Sequence, residues 1–342
     1  MSKTITALAV FQLIQEGKLS LSHTLQSVLQ LRTPSGAAPT DARFNKVTIQ
    51  HLLEHKSGID TDSFDDGAKV VSAFNAAGHP TSLPVNQATT DSYVAGLHLV
   101  TDPGSTQAYS NCGYYLLGRV VAHLRGKSWP VDAYQSHLFS PLGITRIPGT
   151  VDLLSAQSGD EARYQCSTDV DDNGRFSPDL RVGQSLQSPH RPLVASGYGD
   201  AELAIAQGPG GISAAMTDLA RFVSIMIDTQ DNPALKRTMI SSMLSAAATL
   251  QASGINLRAG YGLDGAQKLG SDSFYGQKGG LIANAASVFQ FRDQWGFVLC
   301  FGNSGQNRNP GWYPDFDAIM RIAKSVSWSS TDLFPHFGMP SL

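Results

Sequence analysis

M-S-K-T-I-T-A-L-A-V-F-Q-L-I-Q-E-G-K-L, residues 1–19, is the stretch on which the reading of this chain turns. Ala7, Val10, Phe11 and Ile14 follow the i, i+3, i+4, i+7 spacing of one helix face. Ile5, Leu8, Ala9 and Leu13 fill much of the remaining circumference. The spacing therefore predicts a helix over residues 4–15 that is buried on all sides. Glu16-Gly17-Lys18 ends it, with Gly17 suited to a left-handed cap. A serine and a lysine thus stand at the head of a core helix, where solvated side chains have little reason to be.

The totals fit a core of that kind. The chain has 342 residues, 42% of them apolar and 15% charged, enough for one large domain or two smaller ones. The net charge of −3 carries no long run of one sign, so nothing points to nucleic acid or a membrane surface as partner. No apolar stretch has the length needed to span a bilayer. Cys112, Cys166 and Cys300 are odd in number and scattered; they make no disulfide framework and no metal spacing, and they fit a reducing compartment.

Further helices are expected at 48–55, opened by Thr48 and closed near Gly58, at 112–125, at 214–228 and near 315–327. Residues 150–210, rich in Ser, Asp, Gly and Pro, read as loops and short strands. Ala286 to Phe301 reads as two strands joined by a turn at Asp293-Gln294. Helices followed by a hairpin and a closing helix point to an α/β (α+β) protein, and one hairpin alone is short of the strands a stable sheet needs.

Three motifs offer chemistry. His51-Leu-Leu-Glu54-His55 matches H-x-x-E-H, in which two imidazoles on one helix face hold zinc and the glutamate serves as base. No third ligand announces itself, and structural histidines are the plainer reading. Gly260-Tyr-Gly262-Leu-Asp-Gly265 matches G-x-G-x-x-G, but no strand precedes it and no helix follows, so it reads as a turn-rich approach to a strand. Asp169-Val-Asp171-Asp172-Asn173-Gly174 matches the first half of a calcium loop. Leu180 stands where the bidentate glutamate belongs, and an Asp/Asn/Gly turn is the plainer account. The motifs imply no metal and no cofactor.

Several stretches taken in order resemble the serine β-lactamase and penicillin-binding-protein superfamily, in its branch of class C β-lactamases and family VIII carboxylesterases. The opening M-S-K-T-I-T-A is similar to the end of the S-x-x-K motif. Lys3 matches its lysine, which puts the nucleophilic serine one position ahead of Met1. Tyr109-Ser110-Asn111, after Pro103-Gly104, resembles the Y-x-N motif. Residues 47–59 and Gly210-Gly211-Ile212 leading into Asp218-Leu-Ala-Arg-Phe222 are similar to further family stretches. Gln277-Lys278-Gly279-Gly280 is the best match to the third motif, K/H-T/S-G. The resemblance runs from residue 1 to about 325. It implies a β-lactamase-like fold, with an antiparallel sheet flanked by helices plus a mostly helical lobe. On this chain that gives a helical lobe over 1–250 and a sheet lobe over 251–342, forming one intertwined catalytic unit. It also implies a leading helix and two strands ahead of S-x-x-K, which the 342 residues do not contain; an N-terminal fragment or a partner chain would then complete the sheet.

The implied chemistry is acyl transfer to serine. A serine hydroxyl needs a positioned base, and a lysine three residues on shares its helix face. Such a lysine acts once it has shed its proton, which burial and nearby positive charge encourage. Tyr109 would relay the proton, and Asn111 would hold the substrate carbonyl or steady the lysine. A backbone N–H near Gly280 would help form the oxyanion hole. Ser2 is no substitute nucleophile, because adjacent helix residues point about 100° apart. Taken singly, Lys3 reads as a solvated lysine, Tyr109 and Asn111 as turn residues, and Lys278 as a strand-edge charge.

The third motif departs from the family in carrying Gln277 for a cation or histidine and Lys278 for a small hydroxyl. Strand neighbours point to opposite faces, so the two cannot both line the cleft. With Gln277 inward the anchor for a β-lactam carboxylate is lost, which favours an esterase or amidase acting on a small neutral ester or amide. With Lys278 inward that anchor returns, and with it the β-lactamase or D,D-peptidase alternatives. Acyl transfer to another acceptor uses the same site. A non-catalytic protein that binds a ligand or partner in the cleft is the reading from another class.

Overall fold

In the computed structural model the first helix, α1 (Ser2–Gln15), is buried on every face from Ser2 to Leu13. The structure describes residues 1–60, 67–159, 168–170, 176–177, 182–195, 199, 202–252, 260–263, 267–269, 272–280, 286–292, 295–301, 321–322 and 325–341. Ile5, Leu8, Val10 and Leu13 lie at 3% exposure or less, and burying each side chain of this kind stabilises the fold by about 1.5–3 kcal/mol. The polar residues of α1 are buried too, and they are matched. Thr6 Oγ1 lies 2.8 Å from the Tyr134 hydroxyl and donates to the Gly208 carbonyl. Gln12 Nε2 donates to the carbonyls of His137 and Ala234, while its Oε1 accepts from Arg125. The helix closes as the glycine foretells. Gly17 has φ +70°, its N–H donates to Ile14 and that of Lys18 to Leu13, the paired bonds of a Schellman cap.

Other helices surround this one. In chain order they are α2 (Leu25–Leu29), α3 (Ile49–Leu53), α4 (Gly67–Ala76), α5 (Gln87–Ala95), α6 (Asn111–Leu124), α7 (Pro130–Tyr134), α8 (Met216–Ile227) and α9 (Arg237–Ala252). α1 packs on α6, α7 and α9, and α3 packs on α6. α3 is shorter than the expected 48–55, and α6 begins one residue earlier than expected, at Asn111, because Ser110 is its N-cap and accepts the N–H of Gly113. In α8, the buried Asp218 accepts the N–H groups of Thr145 and Arg146, tying the helix to the preceding loop.

The shortage of strands is lifted by two strands ahead of the hairpin. Residues 150–210 hold two small antiparallel pairs, β1 (Thr168–Val170) with β2 (Phe176–Ser177) and β3 (Val182–Gln184) with β4 (Leu193–Ala195). The main sheet is antiparallel in the order β5 (Gln267–Leu269), β6 (Asp272–Gly280), β7 (Ala286–Arg292), β8 (Trp295–Phe301). α8 lies against β7 and β8. The expected turn at Asp293-Gln294, the Asp171–Gly174 half of the calcium-like loop and most of the expected helix at 315–327 lie outside the described residues. No described helix is long and apolar enough to cross a membrane.

The G-x-G stretch turns out to be packed against α1, the end of α3 and the start of α6. Tyr261 and Gly262 both have positive φ, +62° and +74°. A Cβ on Gly260 would stand 2.6 Å from Glu54 Cα, and one on Gly262 would stand 2.6 Å from Thr4 Cα. The glycines are there so that backbone can meet backbone. Tyr261 donates its N–H to the Leu53 carbonyl and its hydroxyl to Glu54, while the Gly262 N–H donates to the Tyr114 hydroxyl. The strand that the motif approaches, β5, starts at Gln267.

Candidate active site

Lys3 stands in the first turn of α1, 5% exposed. Its ammonium reaches across to the start of α6. Nζ donates to Asn111 Oδ1 at 2.8 Å and to the Pro209 carbonyl at 2.8 Å. The Tyr109 hydroxyl donates to the same Asn111 oxygen at 3.0 Å. Three of the residues marked out by the sequence, 108 positions apart at the widest, therefore meet at one amide oxygen. The ammonium also lies 4.9 Å from the centroid of the Tyr109 ring and 5.8 Å from that of Tyr114, within cation–π range.

Local structure explains each placement. Asn111 is the first residue of α6, after the Ser110 cap, so its side chain leaves the helix at the end that faces Lys3. The middle position of Tyr-Ser-Asn is thus the cap, and the outer two carry the polar groups. The Pro209 carbonyl comes within reach because Gly208 packs directly on the backbone of α6; a Cβ there would press on the carbonyl of Tyr114. That glycine requirement went unread in the sequence, and so did the acceptor it delivers.

The H-x-x-E-H residues do not form a zinc face, because α3 stops at Leu53 and its last histidine lies beyond the helix. His51 Nδ1 accepts the N–H of Thr48, closing a capping box on α3, and burial pushes its imidazole pKa down. His55 has φ +55° and accepts the N–H of Ser110 at Nδ1, 3.1 Å away. Glu54 takes bonds from Gln50 and Tyr261 and an ion pair with Lys56. Burial pushes the Glu54 carboxyl up, but these three partners outweigh it and hold it below its ordinary range. Burial, with Glu54 alongside, pushes the Tyr261 phenol up. Among the described residues no cluster of three or more His, Cys, Asp or Glu could hold a metal ion.

Gln277, Lys278, Gly279 and Gly280 lie on β6, opposite Phe289, Val288, Ser287 and Ala286 of β7. The side chains of Gln277 and Lys278 lie outside the described residues. β5 pairs only with residues 272–274 of β6. From 275 to 280 the pairing described is with β7.

The chain belongs to the Beta-lactamase family, whose model matches residues 1–309. Among curated proteins it is similar to penicillin-binding protein 4 of Amycolatopsis lactamdurans, 34% identical over 151 residues; that stretch is 42% of this chain and 33% of the relative, so the match spans a third of the relative's length. Among solved structures it is similar to the D-amino acid amidase of Ochrobactrum anthropi SV3, with a TM-score of 0.63 at 19% identity over 95% of this chain and 84% of that one. It is also similar to EstCE1, described as a hydrolase with promiscuous acyltransferase activity, with a TM-score of 0.59 at 18% identity over 92% and 81% of the two chains. At these identities the structural likeness speaks to the fold, which is β-lactamase-like.

Proposed function

We propose that this protein is a serine acyl hydrolase, an esterase or amidase working through an acyl-enzyme. The observation that carries the reading is the convergence of Lys3 Nζ and Tyr109 OH on Asn111 Oδ1 at the ends of two buried helices. The nucleophile is a serine at the position ahead of Met1, three residues before Lys3 and so on its helix face. With Lys3 as the neutral amine, its two N–H groups on Asn111 and Pro209, the serine Oγ attacks the acyl carbon as its proton passes to Lys3 Nζ and on by way of Tyr109 to the leaving group. Of the two tasks open to Asn111, the 2.8 Å bond supports holding the lysine. The oxyanion is met by the serine N–H and by a backbone N–H on the 275–280 edge of β6, near Gly280. Water then releases the acyl group by the reverse proton path.

The neighbours named as an amidase and as a hydrolase with acyltransferase activity show that this fold carries such chemistry.

The test uses the full-length protein, carrying whatever precedes Met1 in the gene product, treated with a fluorophosphonate probe. Intact mass and peptide mapping should find one adduct, on a serine three residues before Lys3. Lys3→Ala should abolish both labelling and hydrolysis of p-nitrophenyl butyrate. A wild-type protein that takes no probe and cleaves no ester would sink the reading and leave the cleft as a binding site.

A further inference from the structure

His55 has no part in the chemistry above, yet it touches the site from three directions. It is 3% exposed and lies just past the end of α3. Its carbonyl accepts the N–H of Ala108 at 2.8 Å, and its Nδ1 accepts the N–H of Ser110 at 3.1 Å. Its ring lies 4.8 Å from that of Tyr109 and 5.0 Å from that of Tyr114, tilted 37° to each.

The bond to Ser110 answers a specific need. The N–H of an N-cap residue is met, in a capping box, by the side chain three positions on. In α3 that side chain is His51, which accepts the N–H of Thr48. In α6 the same position is Gly113, which has no side chain to offer. His55 supplies the acceptor from another element. The two histidines of the H-x-x-E-H stretch thus do one job, each receiving the N-cap amide of a different helix.

We propose that His55 is a positioning residue for Tyr109 and Asn111. Ala108 and Ser110 are each tied to it, one through its carbonyl and one through its imidazole. Tyr109 lies between these two anchors, outside the helix and its bond ladder, with its ring against the imidazole. The anchors set where the Tyr109 hydroxyl meets Asn111 and where Asn111 meets Lys3. A positive φ suits this place, because it turns the chain back at the end of α3 while keeping the ring in the aromatic layer; histidine tolerates that conformation better than most residues. The inference rests on the serine-hydrolase reading for its kinetic consequence, but its geometric consequence stands apart from it.

The experiment compares His55→Ala, His55→Asn and His55→Gln in the full-length protein. Asparagine tolerates positive φ and puts an oxygen near the place of Nδ1, whereas the glutamine oxygen lies one carbon further out. Hydrolysis of p-nitrophenyl butyrate should show kcat lower by about tenfold or more in His55→Ala and His55→Gln, with KM changed by less than about twofold, since small misplacements of catalytic groups act on the chemical step. His55→Asn should stay within about threefold of wild type. Crystal structures should show Tyr109 drawn away from Asn111 in His55→Ala and kept in place in His55→Asn.

Wild-type kcat in a folded His55→Ala, or equal losses in His55→Asn and His55→Gln, would overturn the proposal. Should His55→Ala fail to fold, the asparagine and glutamine pair decides alone. Should wild type prove inactive, the hydrolase reading fails, and the crystal structures decide the role of His55: an undisturbed Tyr109–Asn111 contact in His55→Ala, or a lost one in His55→Asn, would overturn it.

Discussion

Gly262→Ala puts the close packing of this turn on α1 to a quantitative test. Gly262 has φ +74°, and an added Cβ would stand 2.6 Å from both the Lys3 carbonyl carbon and Thr4 Cα, with the Lys3 carbonyl oxygen closer still. All three are backbone atoms, so no side chain can swing aside. A left-handed backbone costs an L-residue about 1–2 kcal/mol. Forcing a carbon into a packed site costs about 1–3 kcal/mol more. The stiffer unfolded chain returns about 0.4–1 kcal/mol. The net is a loss of about 1–4.6 kcal/mol. Gly17→Ala is the control: φ is +70°, nearly the same, but nothing lies within 4 Å of the added Cβ. It should lose about 0–1.6 kcal/mol, the conformational part alone. Urea unfolding with matched m-values gives both numbers. Gly262→Ala should fall below Gly17→Ala by the steric part, and its probe labelling should slow because the clash bears on Lys3, the proposed activator of the serine. Equal urea midpoints for the two variants would refute the claim that backbone contact, and not turn geometry alone, fixes this glycine.

Tyr109→Phe removes the hydroxyl that donates to Asn111 and leaves the ring against His55; kcat on p-nitrophenyl butyrate should fall by about 10²–10⁴ with the melting temperature unchanged. Asp41 accepts from the Arg43 guanidinium and from the backbone N–H groups of Arg43 and Leu99, and the Arg43 bonds, working against burial, hold its carboxyl far below the ordinary range. Because the folded pKa is depressed, the stability it contributes is full above the unfolded value near about 3.9 and drains away as pH falls through the folded one. Asp41→Asn should therefore melt lower than wild type at pH 7, and the gap should narrow once the pH drops below about 4; a gap that stays constant down to acid pH would contradict the assignment.

What could be read from the sequence was whatever a short period or a local cap encodes. α1 was legible because apolar residues occupy all of its faces, and the β7–β8 hairpin because two apolar runs flank one turn. α5 was not: Gln87–Ala95 is rich in threonine, and its helix is held by the Asn86 cap and by the bonds of Asp91 to Tyr115 and Arg119. β5 and β6 escaped notice as a pair because glycine and polar residues interrupt them. Lys3, Tyr109 and Asn111 were found through motif order, but their meeting point was not, since Asn111 Oδ1 becomes a common acceptor only after α1 and α6 have packed. The zinc-like and nucleotide-like letters were rightly given no metal or nucleotide role, and they carry little information for the same physical reason. Histidine spacing says nothing of where a helix ends, and glycine spacing reports close approach without saying what approaches. His55 was noticed only as a letter of the H-x-x-E-H pattern, because nothing local marks a residue whose partner is the cap of a helix 55 positions later.

The burial of α1 on all faces has a consequence for how the site comes into being. A helix without a polar face has nothing to gain from forming in water, and fourteen residues are too few to hold it on propensity alone. It should become ordered only when α6, α7 and α9, on which it packs, close around it. Assembly of the Lys3–Asn111–Tyr109 junction and completion of the core are then a single event. On this account a chain part-way through folding should have no half-built junction of these three side chains. In hydrogen exchange the amides of Leu8 to Leu13 should open only with the whole fold, and mutational tolerance along the helix should stay low at every angle around its axis until Ile14 and Gln15, where it first meets solvent.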